Sequence, residues 1–167
     1  MQAAFGDDPK AATFHFDSNG YNEGRTAQAL PGSIPGVFVG NANANTMVVG
    51  AGDTMTGGAG ADTFVFKTPL STPATITDFT HGTDILQISA SGFGHGLVAG
   101  SAAPLVTAAD IALASHAGTN GYFILDNSGA NAGTLYWDAT GGSGADATPV
   151  VHLQNVISLL HSDFLLV

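Results

Sequence analysis

The chain contains no cysteine, so it has neither a disulfide nor a thiol nucleophile, and rigidity has to come from packing or from bound metal. Basic residues are almost as scarce. Three Lys and Arg stand against 13 Asp and Glu, a net charge of -10, which argues against nucleic acid or anionic membrane as a partner and favours divalent cations. Only 10% of residues are charged, against roughly a quarter in an average soluble domain, so little repulsion opposes pairing of exposed strand edges. No apolar run approaches the ~20 residues of a membrane-spanning helix. The first residues, Met1 to Asp8, lack a basic region and an apolar run, so a Sec-type signal peptide is not expected there. Export is then expected to be driven from the C-terminus, or a leader has been removed.

Catalytic groupings are missing as well. There is no His-Glu-x-x-His helix, no Gly-x-Ser-x-Gly elbow and no phosphate loop. The histidines, His15, His81, His95, His116, His152 and His161, never fall as an i, i+4 pair, and Glu23 is the single Glu. Isolated hydrogen-bonded histidines are the expected reading, and an enzyme is not expected.

What is abundant is glycine, 23 residues, and its placement is patterned. Gly57-Gly58-Ala59-Gly60-Ala61-Asp62-Thr63-Phe64-Val65 is a full copy of the nonapeptide G-G-x-G-x-D-x-U-x of calcium-binding parallel β-rolls. Six residues make a turn whose glycines adopt angles closed to other residues, and three make a short strand with one apolar side chain inward, here Phe64. Asn45-Thr46-Met47, Asp53-Thr54-Met55 and Asp62-Thr63-Phe64 repeat one pattern of oxygen ligand, Thr and large apolar residue. A first turn can be set at Gly40 to Val48, with Asn at two glycine positions. A second, Val49 to Thr56, is one residue short before Asp53. The alternative for this stretch is a generic Gly/Asn loop.

From Gly40 to Val167 the chain resembles the C-terminal region of RTX proteins exported by type I secretion, including the tail of serralysin-type metalloproteases. After the nonapeptides comes Ile76-Thr77-Asp78-Phe79-Thr80-His81-Gly82-Thr83-Asp84-Ile85-Leu86, similar to the family's exit block. Gly133 to Gly142 resembles its "LYYDADG" hairpin, and Ser162-Asp163-Phe164-Leu165-Leu166-Val167 resembles its uncleaved export signal. The resemblance implies Ca2+ as the bound ion, the type I secretion machinery as a partner, and a secreted, extracellular or cell-surface location.

In such rolls, turns on one side are two apart and sandwich the ion. The resemblance therefore pairs Gly40–Asn45 with Gly57–Asp62, giving Asp62, carbonyls around Gly58 and Gly60, Asn45 and carbonyls near Ala42 as ligands. On the other side it leaves Asp53, with Asp78 and Asp84 as candidate partners. Asp78 and Asp84 are equally readable as turn caps. Asp126 and Asp138 end two apolar strands, Tyr122 to Leu125 and Thr134 to Trp137, and suit a hairpin with acidic ends, where solvated turns are expected ahead of calcium. Asp17-Ser18-Asn19-Gly20 faintly resembles an EF-hand start but lacks the Glu that would complete it.

The expected architecture is all-β: a short calcium-binding parallel β-roll continued by antiparallel strands and hairpins, with one short helix. Residues 1–36 read as one strand, Ala12 to Phe16, then a Gly/Pro-rich cap or linker; 37–66 as the roll; and 67–167 as the C-terminal β region with the export signal. Thr107 to His116 is the expected helix, with Thr107 as N-cap and Gly118 past its end. The expected function is an extracellular, calcium-triggered structural protein that self-assembles as a filament or surface layer. The alternative is the export and folding module of a larger RTX enzyme or adhesin.

Overall fold

The computed structural model describes residues 35–167; the expected strand Ala12 to Phe16 and most of the expected N-terminal cap lie outside these residues. Among the described residues the architecture is all-β, a parallel roll continued by antiparallel strands. Successive strands alternate between two sheets. β1 (Val37–Asn41), β3 (Thr54–Gly58) and β5 (Ala74–Ile76) pair in parallel in one, and β2 (Thr46–Val48), β4 (Thr63–Phe66) and β6 (Ile85–Ile88) do so in the other.

Period-two alternation builds this arrangement. In β4, Phe64 and Phe66 are buried while Thr63 and Val65 are half-buried, and β6 repeats the pattern with Leu86 and Ile88 inside. The parallel register then stacks like on like. Phe38, Met55, Ile76 and Leu153 form one inward ladder, and Met47, Phe64, Leu86 and Phe164 form the facing one. Nearly all of these side chains are fully buried, each contributing about 1.5–3 kcal/mol of apolar transfer. Thr side chains line the outer face, where the Thr56 and Thr77 hydroxyls bond across neighbouring strands at 2.7 Å.

The roll does not stop at residue 66. β5 and β6 form a third rung, and after a long excursion the chain returns to add a fourth. Here β12 (Thr148–Leu153) lies parallel to β5, and β13 (Phe164–Leu166) lies parallel to β6. The segment from Phe164, which in sequence resembles an export signal, is therefore a parallel rung of the roll. The excursion begins with the one short helix, α1 (Ala90–Phe93), which Ser89 caps by accepting from the Gly92 N–H.

The expected helix from Thr107 to His116 is not present. Leu105 to Ala108 form β7, Asp110 caps a single 3-10 turn at Ile111–Leu113, and Ser115–His116 form β8. Pairing of β7 with β9 overrides the local helical pattern, which is weak at Val106 and Thr107. The expected hairpin is there: β9 (Tyr122–Asp126) runs antiparallel to β10 (Thr134–Asp138), and β10 joins β12. Both strands are buried on two faces. Phe123, Leu125, Leu135 and Trp137 enter the main core, while Tyr122, Ile124 and Tyr136 pack beneath a ribbon of β8 and β11 (Gly142–Ser143). No helix among the described residues is long and apolar enough to cross a membrane.

Candidate metal centre

Turns leaving β1, β3, β5 and β12 emerge on one edge of the roll. At its first two levels they are pressed together: Gly58, at φ +96°, leaves no room for a Cβ against the Asn41 carbonyl, and a Cβ on Gly60, at φ +113°, would lie 2.9 Å from the Asn43 carbonyl carbon. Only glycine meets both demands, the left-handed angle and the close approach.

Along this edge the residues just before β2, β4, β6 and β13 are Asn45, Asp62, Asp84 and Asp163, and they stitch the turns together. Asn45 Oδ1 accepts from Asn41 N–H at 2.8 Å, Asp62 Oδ1 from Asn45 N–H at 2.8 Å, and Asp84 Oδ1 from Asp62 N–H at 2.9 Å. Asp163 Oδ1 accepts from Gly82 N–H at 2.9 Å, and its Oδ2 from Leu160 N–H, with His81 Nδ1 2.6 Å away. Asp78 joins from the same turn as Asp84, its two oxygens accepting from Gly57 and Gly58 N–H, both at 2.8 Å. Such bonds to a carboxylate are charge-assisted and roughly twice as strong as neutral ones.

One atom is left out. Asp62 is fully buried, and its Oδ2, lying against the Cα of Gly57, accepts no hydrogen bond. Burial pushes the Asp62 carboxyl above the usual carboxylate range, the bond from Asn45 opposes this, and the charges of Asp84 and Asp78 add to the rise. A buried carboxylate oxygen with no donor and further carboxylates nearby fits a hard cation. No group of three or more His, Cys, Asp or Glu side chains converges as a metal cluster among the described residues, so further ligands for a cation at Asp62 would have to be amide or main-chain oxygens of the turns.

The expected pairing of sites is only half realised. Asn45, Gly58, Gly60 and Asp62 do come together across the first two turns of one edge. Asp78 and Asp84 stand on that same edge beside Asp62, not opposite Asp53. Asp53 belongs to the other edge, where Gly36 N–H at 2.9 Å and Gly50 N–H at 2.7 Å occupy its two oxygens. The facing turn there, Lys67 to Pro73, offers it no carboxylate. The reason is topological: the strands β5 and β6 extend the roll, so the turn between them falls on Asp62's side. The sequence reading also missed Asp163 as a member of the stack. Its cue is shifted, since Asp163 directly precedes the inward Phe164 whereas Asp62 and Asp84 stand two residues before Phe64 and Leu86.

The described histidines are spread over separate partners, His152 on Thr134 Oγ1, His161 on the Ala103 carbonyl and His116 stacked on Tyr122. No protein-family model matches the chain, and no curated protein or solved structure matches it significantly.

Proposed function

We propose that this is an extracellular, RTX-like calcium-binding protein, exported by type I secretion, whose roll closes on calcium and which serves a structural, self-assembling role. The carrying observation is the buried, donorless Oδ2 of Asp62 between two turns that touch through backbone. An ionised carboxylate so placed is costly alone and is relieved by Ca2+ shared with carbonyl and amide oxygens of the Asn41–Asn45 turn. Phe164 and Leu166, in the segment that resembles an export signal, are buried in the fourth rung. A transporter reads them only while the roll is open, and scarcity of calcium inside the cell supplies that interval.

Calorimetric calcium titration tests the site. D62A lowers affinity at least about tenfold while D126A, whose carboxylate caps the β9 turn at Ser128 N–H, leaves it nearly unchanged; the reverse order would contradict the assignment. The self-assembling part draws on β1 and β2, the terminal strands of the two sheets among the described residues, and on Val37 and Val39, 61% and 53% exposed beside that edge. Sedimentation velocity in calcium yields large assemblies that V37K/V39K abolishes. A persistent monomer would instead favour an export and folding module of a larger protein.

A further inference from the structure

A second buried carboxylate oxygen has no donor, and it lies away from the roll's turns. Asp138 closes β10 opposite Tyr122 of β9 and is fully buried. Its Oδ1 accepts from Thr140 N–H at 2.8 Å and Gly141 N–H at 3.0 Å, with the Thr140 hydroxyl at 3.2 Å, while Oδ2 accepts nothing. The Thr140 hydroxyl also lies 3.0 Å from Asp146 Oδ2, and it has one proton for both carboxylates. The Tyr122 hydroxyl directs its own proton to the Gly142 carbonyl at 3.1 Å, with the Ala114 carbonyl at 3.4 Å.

Oxygens thus outnumber protons around one point of the fold. Burial holds the Tyr122 phenol above its usual range, the charge of Asp138 and the approach of its carboxylate to the phenol hydroxyl add to the rise, and the charge of Asp146 contributes last. Lys67, the only Lys or Arg among the described residues, sits in the β4–β5 turn, and the one close contact of a basic side chain with a carboxylate among those residues joins His81 to Asp163. The β8–β11 ribbon builds the enclosure. Consecutive glycines at φ +72° and +77°, Gly141 and Gly142, turn the chain back so that Gly142 pairs with His116 and its carbonyl reaches Tyr122.

We propose that Asp138 and Asp146, with the Thr140 hydroxyl and the Gly142 carbonyl, form a second site for a hard divalent cation, distinct from the Asp62 edge. The donors are all oxygen, which selects the calcium and magnesium class over zinc or copper. A cation there supplies Oδ2 with its missing partner and ties the ribbon to the end of β10. The proposal stands whether or not Asp62 binds metal.

Terbium is the probe, because a lanthanide takes calcium-type oxygen sites and Tyr122 and Trp137 beside this one can sensitise its emission. The full chain titrated with Tb3+ under aromatic excitation is expected to emit, to lose emission on adding excess calcium, and to need at least about tenfold more Tb3+ in D138N and D146N. Asn at 138 keeps the Oδ1 bonds, and Asp146 is exposed, so D146N reports even where D138N fails to fold. D62N is expected to retain the signal, which separates this site from the roll edge. Emission absent from the wild type, unchanged in D146N, or lost in D62N alone would overturn the proposal; the last would leave the roll site standing, and a turn of the Tyr122 proton onto Oδ2 would then account for Asp138.

Discussion

At Asp62 one carboxylate oxygen is tied to the Asn45 N–H and the other, lying where a Cβ on Gly57 would clash, accepts no hydrogen bond. Burial raises its carboxyl in the folded state, so only between the unfolded and folded values does the folded chain bind more of this proton than the unfolded chain. In chelator this group favours folding below the ordinary Asp pKa and loses that contribution as pH rises through the elevated folded value. D62N should therefore be more stable than the wild type in chelator at neutral pH, by about 1–3 kcal/mol, with a flatter dependence above pH ~4. Calcium should reverse the order. Urea unfolding across pH, with and without chelator, measures both, and a wild type that outlasts D62N in chelator would contradict the reading. The cue for Asp62 was a complete nonapeptide; Asp138 offered none, because an Asp ending an apolar strand before Thr-Gly-Gly reads as a turn until the ribbon is seen to bury it.

Among the elements, the inward ladders explain why the roll was legible. Phe64, Met55 and Leu86 each follow an Asp by two residues, and Met47 follows Asn45 in the same way, whereas Ile76 of β5 has Ala74 at that position. The spacing fails at Asp163-Phe164 and is absent at β12, whose partner β5 lies 77 residues earlier in the chain (Val151 against Ala74). The hairpin of β9 and β10 was readable from its apolar runs and Gly-rich connection. The helix at Thr107 was misread for the converse reason, since capping residues suffice for one 3-10 turn and sheet pairing took the rest. Packing makes a contrast that can be measured. F64A empties the centre of the facing ladder and is expected to cost about 3–5 kcal/mol, while L113A, at a side chain 81% exposed, stays within about 0.5 kcal/mol. Equal losses in urea unfolding would show that the ladder is not the core.

Among the described residues the roll has two edges that differ. One carries a stack of carboxylates and amides, the other a single Asp satisfied by N–H donors, so the proposed calcium binding belongs to one side and to the rungs it joins. With no disulfide and a net charge of -10, little else offsets the repulsion along that side. Binding to the folded form alone at 100 times the dissociation constant contributes about 2.7 kcal/mol. The most direct measurement is heat unfolding of the full chain followed by far-ultraviolet circular dichroism, in chelator and in millimolar calcium. Calcium-dependent closure predicts a β spectrum strengthened by calcium and a midpoint higher by about 10 °C; superimposable spectra and melts in the two solutions would contradict it.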